Sequence, residues 1–176
     1  MCIKRKISDE YVTIDIETTG FNVEKDNIIE LAVCKVKNKR IIDNFTTFIN
    51  PQKPIHKAIT EVTGITDEML KDADTINIAL NKLIDFIEDL PIVVHNANYV
   101  MNFIKANTNI KFENEVIDTL TLSKKKLPNL KIYTIKAILE FSGNSDVVLN
   151  RSIDYARVIA KVFETLKDYK LENKSQ

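Results

Sequence analysis

Residues 11–20 read Y-V-T-I-D-I-E-T-T-G. Val12, Ile14 and Ile16 alternate with Thr13, Asp15 and Glu17, a period of two that predicts a β-strand with one apolar and one polar face. The T-T-G that follows ends the strand. Asp15 and Glu17 fall on the polar face, about 7 Å apart along the backbone at the usual strand rise. Two carboxylates so placed repel each other unless a cation or solvent relieves them. Two readings follow. In one, the pair holds a divalent ion, and hard oxygen donors suit Mg2+ or Mn2+. In the other, the pair lies on the polar, solvent-facing side of an edge strand.

Working outward, I-I-E-L-A-V-C-K-V at 28–36 reads as a second strand, K-N-K-R at 37–40 as a turn, and I-I-D-N-F-T-T-F-I at 41–49 as a third strand. Short links between them predict an antiparallel meander. Asn50-Pro51 breaks the pattern. A short helix is expected over 56–63, closed by Gly64, and Thr66 is placed to cap the next turn, with Asp67 and Glu68 behind it. Ile76, Leu80, Leu83, Ile84 and Ile87 mark a helix over 75–89 by their spacing. After Pro91, I-V-V reads as a strand and 97–106 as a helix. E-V-I-D-T-L at 115–120 reads as a strand leading into a helix, with Asp118 as its cap, and further helices are expected over 133–141 and 151–169. A meander followed by strand–helix alternation predicts an α/β domain with a mixed sheet of about five strands, the first three antiparallel, flanked by helices.

The chain has 176 residues, which suits one domain: an extension over 1–9, a single domain over 10–170 and a polar tail over 171–176. With 44% apolar and 28% charged residues, the composition is that of an ordinary globular protein. Twenty-five acidic side chains balance twenty-five basic ones, so net charge neither supports nor excludes a nucleic-acid partner. Cys2 and Cys34 lack metal-site spacing and read as free intracellular thiols. No apolar run approaches the ~18 residues of a membrane span, and the N-terminus lacks the apolar core of a signal peptide, so a cytoplasmic location with no membrane partner is expected. His56 reads as a surface residue. Lys124, Lys125, Lys126, Lys131 and Lys136 form the most basic stretch, read first as a solvated face.

One ordered set of segments goes further: D-I-E-T-T-G, I-I-E-L-A, T-G-I-T-D-E-M-L, V-H-N-A, V-I-D-T-L, L-P-N-L-K-I-Y and R-S-I-D-Y-A-R-V. This order resembles the 3′–5′ exonucleases of the proofreading-subunit class, the epsilon type of DNA polymerase III, over residues ~10–168. The resemblance implies an RNase H-like fold. It implies that Asp15 and Glu17 bind metal, that Thr18, Thr19 and Gly20 lie beside the terminal nucleotide with Phe21 near its base, and that His95 and Asn96 frame the nucleotide site. It also puts the lysine stretch on the substrate side, where phosphate contact is an alternative to the solvated face.

The same resemblance exposes three replacements. Val100 stands where the family has a metal-site Asp, Asn150 where it has a general-base His, and Tyr155 where it has the final metal-site Asp. Valine has no donor atom. A phenol with an ordinary pKa of ~10 is neutral, and an amide cannot take a proton from water near neutral pH. General-base help alone contributes roughly 10²–10⁴ in rate. Asp154 is a substitute in name, but one residue on a helix is about 100° of rotation, which turns it beside the site. The expectation is a degenerate exonuclease that binds nucleic-acid 3′ ends or nucleotides, with Mg2+ or Mn2+ held weakly if at all. Two alternatives stand beside it: an active exonuclease with a rearranged site built from Asp15, Glu17 and Asp154, and a structural module that binds a protein partner.

Overall fold

The computed structural model describes residues 9–108, 112–144 and 147–169. Five strands, β1 (Glu10–Thr18), β2 (Ile28–Lys37), β3 (Arg40–Phe48), β4 (Ile92–Val94) and β5 (Val116–Asp118), form one sheet in the order β3-β2-β1-β4-β5. The first three pair antiparallel, and β4 and β5 run parallel to β1. The turn expected at 37–40 is a tight hairpin. Lys37 pairs with Arg40, and Asn38 and Lys39 between them take φ of 51° and 65°. That left-handed pair matches the twist of the strands it joins.

Seven helices complete the described fold: α1 (Lys57–Thr63), α2 (Asp67–Leu70), α3 (Ile76–Ile87), α4 (Ala97–Ala106), α5 (Thr119–Lys126), α6 (Ile135–Phe141) and α7 (Ser152–Asp168). Their ends follow the expected chemistry. Gly64 closes α1 with φ 71°, where a side chain would be strained. The Thr66 hydroxyl accepts from the Met69 amide, and the Asp118 carboxylate from that of Leu120, capping α2 and α5. His56 is exposed and caps α1, its Nδ1 accepting from the Ala58 amide.

The alternation in β1 sorts its residues between two cores. Val12, Ile14 and Ile16 join Leu80 and Leu83 of α3 and Val100, Phe103 and Ile104 of α4. On the other side, Tyr11 and Val93 pack with Ile138 of α6 and Ile159 and Phe163 of α7. The polar face of β1 lies under this second layer. Thr13 is fully buried, and its hydroxyl donates to the Ala156 carbonyl of α7 at 2.7 Å. The reading of Asp15 and Glu17 as the solvent-facing side of an edge strand is therefore wrong. β1 has a neighbour on each edge, and a helix roofs its polar face. Alternation reports that two faces differ in polarity, and it is silent on what covers the polar one.

Cys34 is buried and unbonded to another cysteine; Cys2, the start of the proposed N-terminal extension and the polar tail lie outside the described residues. Among the described residues no helix is long and apolar enough to cross a membrane.

Candidate active site

Asp15 and Glu17 sit near the C-terminal end of β1, where the pairing with β2 slips by one residue between Glu17 and Thr18. Such a bulge bends a strand and re-aims its side chains. Directly across the ladder from Glu17 is Glu30 of β2. Glu30 is 2% exposed, and a buried carboxylate needs a partner. Arg151, the residue before α7, provides one. Its Nε donates to Glu30 Oε2 at 3.2 Å, its Nη2 pairs with Oε1, and the Ser152 amide adds a donor to Oε2 at 3.3 Å. The guanidinium also lies over the Phe48 ring, 4.7 Å from its centroid. This clasp fastens the start of α7 to β2 and β3. Sequence reasoning passed over it, although a lone Glu inside the apolar run I-I-E-L-A-V was the signal.

Three carboxylates thus share a small region with one guanidinium. Burial, then Glu17 and Glu30, push the Asp15 carboxyl well above the usual range. Burial and Glu30 push Glu17 up to about 7, against the pull of Arg151. Two phenols face the pair. Tyr155 on α7 and Tyr99 on α4 are both raised by burial and by the charges of Glu17 and Asp15, so both stay neutral.

The turn after β1 is held tightly. The Thr18 hydroxyl donates to the Gly20 carbonyl at 2.6 Å and lies 2.6 Å from the Tyr99 hydroxyl. Thr19 Oγ1 donates to Asp26 Oδ1 and accepts from the Asn27 amide. A Cβ on Gly20 would sit 2.4 Å from the Asp26 carboxylate, so a side chain there would force Asp26 to shift. Phe21 is 89% exposed, which rules out packing under its own loop; it lies beside Tyr99, ring centroids 6.2 Å apart. Asp26 and Tyr99 carried no sequence signal that set them apart from an ordinary turn acid and a core aromatic.

His95 and Asn96 follow β4 directly. Asn96 takes φ 70°, a conformation asparagine tolerates, and its amide donates to Asp118 Oδ1 at 2.9 Å. Both ring nitrogens of His95 are engaged, Nδ1 with Thr119 Oγ1 and Nε2 with the Tyr133 carbonyl, each at 2.9 Å. Burial lowers the histidine pKa and favours the neutral ring. A carbonyl can only accept, so Nε2 carries the proton and donates to Tyr133. His95 is a brace between the end of β4 and the segment before α6.

The three replacements take separate places. Val100 is 2% exposed and belongs to the core between α4 and the sheet. Asn150 is exposed just ahead of α7. Tyr155 is half-buried and, with Asp15, His95 and Asn96, lines a cleft of about 770 Å³. Asp154 turns back on its own helix, Oδ2 accepting from the amides of Asn150 and Arg151 at 3.3 Å each. Among the described residues no group of three or more His, Cys, Asp or Glu side chains is placed to hold a metal ion. The donor set agrees, with an aliphatic group at Val100 and a neutral phenol at Tyr155. These residues do not fit a centre for two divalent ions. The cleft is also lined by Lys124 and Lys136, among apolar side chains that include Leu120 and Ile135.

A mixed sheet with the order 3-2-1-4-5, helices on both faces, and an Asp and a Glu at the end of the central strand define an RNase H-like exonuclease domain. The chain belongs to the Exonuclease family of RNase T type, whose profile matches residues 12–163. The resemblance read from the ordered motifs holds at this level. The chain is 40% identical over 160 residues to the PolC-type DNA polymerase III of Caldanaerobacter subterraneus subsp. tengcongensis, which covers 89% of this chain and 11% of that protein. It spans about a tenth of the length of such relatives. Among solved structures, the nuclease domain of 3'hExo, a DEDDh family member bound to rAMP, superposes with a TM-score of 0.76 at 20% identity, covering 91% of this chain and 92% of that one. Exonuclease X, in complex with 5' overhanging duplex DNA, superposes with a TM-score of 0.70 at 21% identity, covering 88% and 92%. Exonucleases of this kind generally depend on divalent metal ions.

Proposed function

We propose that this protein is an exonuclease-family domain that binds nucleic-acid 3′ ends or nucleotides and has lost most or all of the hydrolytic activity of its family. The observation that carries the reading is the donor set at the site. Asp15 and Glu17 remain, while Val100 is core, Tyr155 is a neutral phenol and Asn150 cannot act as a base. Thr18, Thr19, Gly20, Phe21 and Asn96 are the residues assigned to the nucleotide, with His95 framing the site through its bonds to Thr119 and Tyr133. Mg2+ or Mn2+ binds weakly, if at all. The structural neighbours, nucleases with rAMP and duplex DNA bound, support the ligand class. The polymerase relatives support a cytoplasmic role beside a DNA polymerase.

The rearranged-site alternative loses support from the place of Asp154, whose carboxylate is spent on the first turn of α7. The test is binding by fluorescence anisotropy to a linear single strand and to a circle of the same sequence. A preference of about tenfold or more for the linear strand, about 1.4 kcal/mol, is expected if the end is recognised. Equal binding of the two, or none of either, contradicts the proposal.

A further inference from the structure

Family chemistry would bring a phosphate to the carboxylate pair across metal ions, and the donor set here does not fit such ions. Neither Asp15 nor Glu17 offers an approaching anion a positive charge. The cations on the described cleft lining are Lys124, in the last turn of α5, and Lys136, in the first turn of α6. Both are exposed, and neither has a hydrogen-bond or ion-pair partner among the described residues.

The wall that carries them is fixed. His95 Nε2 donates to the Tyr133 carbonyl at 2.9 Å, and the Tyr133 hydroxyl donates to the Leu127 carbonyl at 2.8 Å. The Thr134 hydroxyl accepts from the Ala137 amide and caps α6. These bonds pin the connection between the two lysines at both ends. A positive charge on a held segment pays less ordering cost on binding than one on a free loop. Leu120, Ile135, Val147 and Leu149 line the same cleft, an apolar floor suited to a base or sugar. The volume of about 770 Å³ is within the range of small-ligand sites.

We infer that the cleft seats a phosphate-bearing nucleotide on Lys124 and Lys136 without a metal ion. The phosphate lies on the α5–α6 wall, away from Asp15 and Glu17, and the base rests on the apolar floor. This rests on the nucleotide-binding reading above and specifies how the ligand is held. It gives His95 a positioning task, since its ring braces the wall and has no nitrogen left for the ligand.

The experiment is calorimetric titration of the full chain with adenosine 5′-monophosphate and with adenosine, each in EDTA and in Mn2+. The monophosphate is expected to bind with affinities within about twofold in the two conditions, and to weaken as salt rises because the contact is ionic. Adenosine is expected to bind at least about tenfold more weakly, the scale of a charge-assisted hydrogen bond lost. The Lys124→Ala/Lys136→Ala variant should melt like the parent, as both residues are exposed, and should lose the preference for the monophosphate. The Lys124→Arg/Lys136→Arg variant should retain it. Binding of the monophosphate only with Mn2+ overturns this inference and leaves the nucleotide-binding reading standing. Equal binding of both ligands, or a double alanine variant that binds like the parent, overturns it as well. Absence of binding under every condition overturns both.

Discussion

Arg151→Met tests the part of the structure that fixes the site's geometry. The substitution keeps an apolar stem of similar length and removes the guanidinium. It strands Glu30, whose side chain is 3% exposed, opposite Glu17 and near Asp15, with no positive charge in its place. Breaking a buried pair by deleting one partner costs about 3–5 kcal/mol, because the remaining charge has lost both solvent and counter-ion. A domain of this size loses roughly 2–4 °C of melting temperature per kcal/mol, so the midpoint should fall by about 6–20 °C. Since the Arg151 side chain is 28% exposed, water reaches part of the pair, and the lower half of the range is expected. Urea unfolding at neutral pH, followed by far-ultraviolet circular dichroism, measures the change. The Glu30→Met/Arg151→Met variant should recover most of the loss, since replacing a whole buried pair by apolar groups is often close to neutral. A single variant within about 1 kcal/mol of the parent, or a double variant no better than the single, would refute the clasp as a buried, desolvated pair.

Glu17 sets a pH dependence. Its carboxyl stands at about 7 in the fold against an ordinary 4.5. The folded state therefore holds the extra proton between those values, and stability falls as pH rises through that window. At ~1.4 kcal/mol per pH unit the full effect is at most about 3.5 kcal/mol. Glu17→Gln should flatten the pH profile and be the more stable protein at pH 8; an unchanged slope would contradict the burial of this group. Gly20→Ala drives a methyl into the Asp26 carboxylate and should cost about 1–3 kcal/mol. Adding Asp26→Ala should remove most of the steric part, which thermal melts of the pair can check. Phe21→Ala should leave stability within about 0.5 kcal/mol, because the ring is 89% exposed. The same change should weaken single-strand binding by about fivefold or more if a base stacks there, and unaltered anisotropy titrations would remove Phe21 from the ligand site.

Much of this architecture could be read along the chain because the informative signals are local. The alternation at 11–17, the turn at 37–40 and the caps at Thr66 and Asp118 each depend on neighbours within a few residues, and each stands in the structure as expected. Long-range facts were not legible. Whether the polar face of β1 meets water or a helix depends on where α7 lies, more than a hundred residues on. Glu30 and Arg151 are separated by 121 positions, and only the oddity of a charge in an apolar strand pointed to a missing partner. His95 stood out in V-H-N-A as a ligand contact, yet its nitrogens serve the fold. Asp154 was expected to turn aside, by helix geometry, and its place in the first turn of α7 gives the physical cause.

The central claim is that the family's frame persists here without a working hydrolytic centre. Its most direct test is release of mononucleotides from 5′-labelled single-stranded DNA and RNA in Mn2+, with Asp15→Ala run alongside. The predicted result is no release above the Asp15→Ala level. A ladder of progressively shortened strands that Asp15→Ala abolishes would contradict it.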